Sequence, residues 1–517
     1  MERAFTMRLS LYTSTVCHLR PEQIIFQIIR KIHHPRYIKK EAPDHFGTGL
    51  LTAPLAKPVS LREGTFTFLN LNAGFNGWED SSNGPLWAYN LNYMDWLNQP
   101  GIGTDECTAW IDRFVGETGH GSIGLQPYPT ALRIINWIKF FSEHRECATK
   151  ARLDSLYSQL YLLSRSVERH LAGNHILEDA YALLIGSVYF KSDRLIRKAV
   201  RLLKRELDRQ ILPDGAHFEQ SPMYHCILLD RLLDCINYTH GSLPEQFDSY
   251  MRDKAAAMTG HLKSIVWKDG SIPLLNDSAY GIAPAASEII DYAGRLDIVS
   301  DSTVLSQCGY RKMESQRLEV IVDIGNVTAS YQPGHTHADT FSYEMRLDGA
   351  PFIIDTGIST YNKNDRRQYE RSTTAHNTVT VGGRDSSAVW GGFRVAGRAN
   401  VRIIEDQAGI ITASHDGFGR RHLHTRSFLS GTDSLTVTDH CKSHLETVSL
   451  IHFAPDVKIL SAQNNRIETD KAVITLDGAS HVEIMDVETS VEYNRFRSCK
   501  AVSIRFSESL TTVITAL

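Results

Sequence analysis

In Tyr331-Gln-Pro-Gly-His335-Thr-His337-Ala-Asp339, two imidazoles and a carboxylate occupy alternate positions just after a Pro-Gly turn. On an extended strand such positions share one face, so all three groups would be offered to one place. Three kinds of chemistry fit them: metal ligation, proton transfer, or hydrogen bonding within a satisfied polar pocket. Two later segments enlarge the set, Ile353-Ile-Asp355-Thr-Gly357 and Arg371-Ser-Thr-Thr-Ala-His376-Asn377. His337, Asp355 and His376 form a two-histidine, one-carboxylate group that suits Zn²⁺ with a fourth position open or filled by water. Their wide separation along the chain leaves a purely hydrogen-bonded, structural role open for each.

A second group of reactive side chains lies earlier. In Asn174-His175-Ile-Leu-Glu178 the imidazole and the carboxylate are three residues apart and share a helical face. They read either as a histidine with its orienting carboxylate or as a surface polar pair. Further on, Ser221 is placed to cap a helix whose first residue is Pro222. Tyr224 then falls in the first turn, where the positive helix end favours a phenolate. It reads as a proton shuttle or as an amphipathic core tyrosine. Trp, Tyr and Asn cluster over 85–98 and 126–137, as they do in carbohydrate clefts and in ordinary cores.

Two kinds of element must position these groups. From about residue 20 to 295 apolar residues recur at i, i+3, i+4 and i+7, as in 131–142, 156–172, 176–191 and 226–236. Thr130 is read as the N-cap of the first of these. Successive amphipathic helices with short connections build a helix-on-helix layer, a bundle or a toroid of hairpins. Beyond about residue 300 the period becomes two, in 318–325, 327–331, 340–349, 351–357 and 377–384, then in 434–440, 447–453, 471–478 and 501–506. Short strands without intervening helices predict an antiparallel β-sandwich. The expected division is therefore 1–300 helical and 301–517 β.

Composition narrows the class. The chain has 517 residues, 42% hydrophobic and 22% charged, with a formal net charge of −4. That charge gives no case for nucleic-acid binding, though a local basic cleft for an acidic polymer remains compatible with it. Eight scattered cysteines without a Cys-x-x-Cys pair argue against a disulfide framework or a cysteine zinc site. No apolar run is long enough to span a membrane. The amino terminus lacks an uninterrupted apolar h-region, so the expectation is a cytoplasmic address, or a periplasmic one if the natural start lies upstream.

The segments GHTHADTFSYEMRLDGAPFIIDTGISTYN, YERSTTAHNTVTVGGRDSS, GNHILEDA, DGAHFEQSPMYH and PYPTALRIINWIKF resemble, in order, motifs of the heparinase II/III-like polysaccharide lyases. The likeness extends over roughly residues 20–460. It implies an incomplete (α/α) toroid followed by an antiparallel β-sandwich, with a cleft between them. It also implies β-elimination on a uronic-acid-containing polysaccharide, leaving an unsaturated uronate. Carried over by motif, Asn174 would bind the substrate carboxylate. His175 would serve as base or charge-neutralising group, with Glu178 orienting it or helping at the carboxylate. Tyr224 would act as base and acid, and His335 would complete the catalytic set. His337, Asp355 and His376 would hold a structural Zn²⁺. Arg371 and Tyr369 are further candidates for contacting an anionic sugar. The slightly acidic net charge favours a weakly sulfated or unsulfated uronate polymer over heparin. A homodimer is compatible with all of this. Two other readings are a glycan-binding partner in surface-polysaccharide assembly without lyase activity, and a zinc hydrolase at the histidine–carboxylate set.

Overall fold

The computed structural model describes residues 2–44, 46–47, 49–119 and 121–517. It opens with α1 (Glu2–Cys17) and α2 (Pro21–Ile32), followed by a small antiparallel sheet of β1 (Leu61–Arg62), β2 (Thr65–Phe68) and β3 (Leu71–Gly74). This sheet interrupts a region expected to be helical throughout. Thr-Phe-Thr-Phe alternates with period two, and its inward rings Phe66 and Phe68 pack edge-on against Trp96 and Trp87. Burying two aromatic rings on one face stabilises a strand more than helix propensity could offset.

The helices α3 (Pro85–Tyr93), α4 (Thr104–Glu117), α5 (Pro127–Glu143), α6 (Lys150–Ser166) and α7 (Gly173–Tyr189) follow, then α8 (Asp193–Gln210), α9 (Pro222–Thr239), α10 (Glu245–Ile265) and α11 (Ala286–Arg295). They form a helical toroid whose inner members are nearly all buried. In α7 every residue but His175 is buried. In α8, by contrast, Ala199, Leu202, Leu203 and Leu207 face inward while Arg and Lys cover the outer side. Helix α5 begins at Pro127, with Gln126 and not Thr130 at the N-cap position. The proline's fixed φ suits the first helical position, and the Thr130 hydroxyl donates instead to the Gly124 carbonyl (3.1 Å).

A four-stranded antiparallel sheet comes next: β4 (Tyr310–Glu314), β5 (Leu318–Asp323), β6 (Tyr343–Leu347) and β7 (Ala350–Ile353). β5 and β6 are buried at every position. A strand enclosed on both faces reads as a continuous apolar run rather than a clean alternation. The helix α12 (Asp365–Glu370) leads to β8 (Val379–Val381) and to a short pair, β9 (Val389–Trp390) and β10 (Arg394–Val395). The second layer of the sandwich is built from β11 (Val401–Gln407), β12 (Ile410–His415), β13 (His424–Ser430), β14 (Ser434–Cys441) and β15 (Thr447–His452). It is completed by β16 (Ile459–Gln463), β17 (Arg466–Thr469), β18 (Ala472–Glu492) and β19 (Arg495–Ala516). Val320, Val322 and Met345 meet Phe428, Ile451 and Ile504 between the layers.

The expected strand at 327–331 does not form, and most of 324–342 is irregular. Its backbone groups pair with the helical half instead: the Gln220 amide donates to the Asn326 carbonyl (3.1 Å) and accepts from the Thr328 N–H (3.1 Å). Once a side chain from another element satisfies these groups, a ladder is unnecessary. On the sandwich side, Arg426 donates from Nη1 to the carbonyls of Phe341 (2.9 Å) and Asn377 (2.6 Å) while its Nε pairs with Asp439 (2.7 Å). The long hairpin β18–β19 reaches back to the toroid. Asn70 donates to the Tyr493 carbonyl (2.9 Å), Asn494 to Leu69 (2.9 Å), and the Tyr280 N–H to Val491 (2.7 Å). The irregular segment therefore sits clamped between the two halves. The cysteines are free thiols, all buried except Cys17. Among the described residues no helix is long and apolar enough to cross a membrane.

Candidate active site

The site is organised by Asp277, in the loop between α10 and α11. Asn276 holds the preceding backbone in the left-handed region (φ 54°), a conformation asparagine tolerates. Its side chain donates to the Gln220 carbonyl (3.1 Å) and the Tyr310 hydroxyl (2.8 Å), and accepts from the His337 N–H (2.8 Å). Ser221 caps α9, accepting from the Tyr224 N–H (3.2 Å), and donates to the Asp277 carbonyl (2.7 Å). One short loop thus fixes the start of α9 and the histidine segment together.

The Asp277 carboxylate is fully enclosed and takes four donors. His335 Nδ1 (2.7 Å) and Arg367 Nη2 (2.7 Å) reach Oδ2, while His337 Nε2 (2.7 Å) and Arg367 Nη1 (2.5 Å) reach Oδ1. Burial alone would raise its pKa, but the Arg367 guanidinium and the two imidazole bonds hold it well below the usual carboxylate range. His335 and His337 do converge, then, though not by strand alternation. They meet because one carboxylate from the other half of the molecule presents an oxygen to each.

Around His335 stand the other expected groups. Asn174, in the first turn of α7, places Nδ2 3.2 Å from His335 Nε2. Its N–H and Nδ2 both donate to Glu219 (2.8 and 2.9 Å). Gly173 has φ 58°, and a Cβ there would lie 2.3 Å from Glu219 Oε1, so only glycine allows this approach. The Tyr224 ring lies over His335 with centroids 4.0 Å apart. Its hydroxyl is 3.1 Å from that of Tyr361, which is 3.2 Å from His335 Nδ1. With Nδ1–H facing Asp277, the neutral ring turns its Nε2 lone pair toward the Asn174 amide, and Glu219 Oε2 lies 3.4 Å from the same nitrogen. Asn174, Tyr224 and His335 are thus in mutual reach of one small ligand.

Several expectations need correction. The phenolate anticipated for Tyr224 is opposed by burial, which with nearby Tyr493, Asp277 and Glu219 raises its pKa well above 10, against the lowering effect of the Tyr361 bond. The resting group is a phenol. His175 and Glu178 do not pair. His175 Nδ1 binds Glu168 (2.8 Å) and its ring rests on Tyr128 (4.6 Å), whereas Glu178 points into the toroid, 3.6 Å from Arg231. With no solvent access, Glu178 cannot touch a sugar, and burial lifts its pKa to about 7 against the pull of Arg231. Burial also opposes charge on His175, but Glu168, with Glu219 and Glu178, outweighs it and raises the imidazole above its ordinary value. Arg371 is likewise buried and donates to the Thr336 carbonyl (2.8 Å), so it shapes the histidine segment rather than facing a ligand. Tyr369 is half-buried beneath Arg366. Asp277, Arg367, Tyr361, Glu219 and Glu168 went unassigned from sequence. Glu219 and Tyr361 lie inside motifs quoted above, while Asp277 carried only the polar signature of Asn-Asp-Ser in a loop.

Of the metal set, His376 Nδ1 meets Asp355 Oδ2 (2.6 Å), and the His337 and His376 ring centroids are 5.3 Å apart. Their donor atoms do not close to within 4.8 Å of one another, as those of Asp214, His261 and Cys308 do. The Asp214 carboxylate, however, already accepts the N–H groups of Ser306 (3.0 Å) and Cys308 (2.9 Å). At the expected set, His337 Nδ1, His376 Nε2 and the neighbouring Asp339 Oδ2 are buried with no hydrogen-bond partner. Such orphans are rare unless something else satisfies them, and an N/N/O donor set fits a zinc ion.

Fold and site together define a toroid-and-sandwich protein with a His–Tyr–Asn cluster between its halves. Residues 150–304 match the Heparinase II/III N-terminus and residues 297–516 match the Heparinase II/III-like C-terminal domain. The chain belongs to the heparinase II/III-like family. It is 25% identical over 330 residues to a heparin-sulfate lyase of Pedobacter heparinus, a match covering 57% of this chain and 47% of that protein. The chain thus spans about half the length of this curated relative. Among solved structures, heparinase III is similar with a TM-score of 0.66 at 15% identity, covering 86% of this chain and 80% of that one. A mutant heparan sulfate lyase from Pedobacter heparinus gives 0.60 at 17% identity, covering 96% and 87%. At these identities the structures speak for the fold alone.

Proposed function

We propose that the protein is a polysaccharide lyase that cleaves a uronic-acid-containing acidic polysaccharide by β-elimination. The observation that carries this reading is the contact of Asn174, Tyr224 and His335 above the buried Asp277 carboxylate. The named activity of the curated relative, a heparin-sulfate lyase, supports it.

The C5 proton of a uronate is a poor acid because its conjugate base places charge beside a carboxylate. Asn174 is set to bind that carboxylate. The amide hydrogen it would use is the one now directed at His335 Nε2, so binding the substrate also frees the lone pair of the base. His335 takes the C5 proton, and Asp277 steadies the resulting imidazolium, as a buried carboxylate does behind a catalytic histidine. The C5–H electron pair becomes the C4–C5 double bond and the C4–O4 bond breaks. Tyr224, a phenol in the resting site, protonates the departing O4. His175, whose charged form Glu168 favours, offsets the substrate's charge when protonated.

A panel of uronate polymers, differing in sulfation and followed by ultraviolet absorbance, tests the reading. At least one should yield a conjugated double bond; none doing so, with binding intact, would leave a binding protein. The His175 pKa is raised, so its cation is present below that value and is lost as pH climbs through it. The rate constant kcat/KM should therefore fall on the alkaline side of the ordinary histidine range. His175→Gln should lower it by about 10-fold, one elementary charge contact of ~1.4 kcal/mol, and flatten that limb. A limb unchanged in the variant assigns it elsewhere.

We further propose that a Zn²⁺ ion is held by His337 and His376 with Asp355, and that the unpartnered oxygen of neighbouring Asp339 is a further oxygen donor to it, since Asp355 already accepts from His376 Nδ1 and the Gly357 N–H. Its part would be structural, fixing the loops that present His335. Prolonged chelation should lower the Tm, and added zinc should restore it in the parent but not in His376→Ala. A Tm indifferent to both, with no zinc by elemental analysis, removes the ion from the account.

A further inference from the structure

A cavity of about 500 Å³ opens on the helical wall, with Glu168, the partner of His175, in its lining. It lies between α2, the α6–α7 connection and the start of α5, a size typical of small-molecule sites. Its lining is strongly one-signed. Arg30, Arg165, Arg169 and Lys198 contribute cations, with His33, His34 and His170 beside them, and Glu168 is the sole acid. That acid is already engaged by His175 (2.8 Å). Arg169 is neutralised by Glu22 (2.8 Å). Among the described residues, no carboxylate pairs with Arg30, Arg165 or Lys198. Arg30 donates to His170 Nε2 (2.6 Å), which needs a neutral imidazole, Lys198 donates to the Ser164 carbonyl, and Arg165 lies over the Tyr161 ring. Burial and then the like charges of Arg169 and Arg194 depress the pKa of Lys198. Gathering unpaired cations around a concavity is unfavourable unless an anion enters it.

We propose that this pocket is an oxyanion subsite for the glycan, receiving a sulfate or carboxylate on a sugar adjoining the one cleaved. It rests on the lyase reading for its placement, because Glu168 is a wall of the pocket and the partner of His175. It also supplies what the net charge of −4 does not, a local basic surface along the path of an acidic chain. The recognition element comes from α2 and α6–α8, apart from the groups that do the chemistry, so it tunes which polymer is accepted and not how it is cut.

The test uses the full chain carrying Tyr224→Phe, to prevent turnover, with and without Arg30→Gln, Arg165→Gln and Lys198→Gln. Size-matched oligosaccharides are titrated calorimetrically: N- and O-sulfated, desulfated with uronates kept, and sulfated with uronates reduced to the alcohol. The charge-removed variant should bind its preferred anionic oligosaccharide at least 10-fold more weakly and with a shallower salt dependence. Loss confined to the sulfated sugars identifies sulfate; loss confined to the uronate-bearing ones identifies carboxylate. Equal binding by both proteins across the series overturns the proposal, as does failure of every anionic oligosaccharide to bind the parent. If the triple variant is not folded by circular dichroism, the exposed Arg165→Gln alone is read the same way, with a threefold loss expected. The lyase reading fails separately: the chain with Tyr224 intact would form no double bond, while the binding difference would persist.

Discussion

Replacing Asp277 with asparagine should abolish most activity and destabilise the protein. Four donors converge on this carboxylate, and asparagine offers one acceptor oxygen and, in place of the other, an amide NH₂ that is itself a donor. The fully buried Arg367 would lose its counter-charge. Removing one partner of a buried pair costs about 3–5 kcal/mol, because the remaining ion stays desolvated. His335 would lose the group that fixes its Nδ1–H tautomer, an effect worth about 10⁴-fold in kcat where a buried carboxylate backs a catalytic imidazole. Denaturant unfolding and initial rates of double-bond formation check the two parts. Full stability would mean that Arg367 finds another partner, and full activity would remove His335 from the proton path.

Tyr224→Phe should separate chemistry from folding. The hydroxyl bonds to Tyr361 (3.1 Å), so its loss should cost about 1 kcal/mol or less of stability. If the phenol protonates the leaving O4, kcat should drop about 10²–10⁴-fold, the usual contribution of a positioned acid. KM should change little. Retention of more than a tenth of kcat would place the proton donor elsewhere, with Tyr361 the nearest alternative.

Much of this was legible in the sequence because it depended on local rules. The N-cap Ser221 and Pro222 placed Tyr224 in the first turn of α9, and the change of period near residue 300 marked the passage from α11 to β4. What could not be read depended on non-local partners. His335 and His337 alternate as on a strand, yet their backbone is irregular and their convergence is dictated by Asp277, about sixty residues away. Helical spacing puts His175 and Glu178 one turn apart on α7. It could not show that Arg231 would draw the carboxylate inward while Glu168 took the imidazole. Arg371, beside the His376 motif, reads from sequence as a sugar contact. Burial turned it into a brace for the Thr336 carbonyl. The Thr65–Phe68 strand was hidden because four residues of alternation are too few to register against a long helical background.

The most direct measurement is mass spectrometry of the products formed in water enriched with heavy oxygen. Elimination breaks C4–O4 without adding water: the two fragment masses should sum to that of the parent oligosaccharide, one carrying the unsaturated uronate and neither carrying solvent oxygen. Fragments heavier by one molecule of labelled water, with no double bond, would mean hydrolysis, and the roles given to Asn174, Tyr224 and His335 would be wrong.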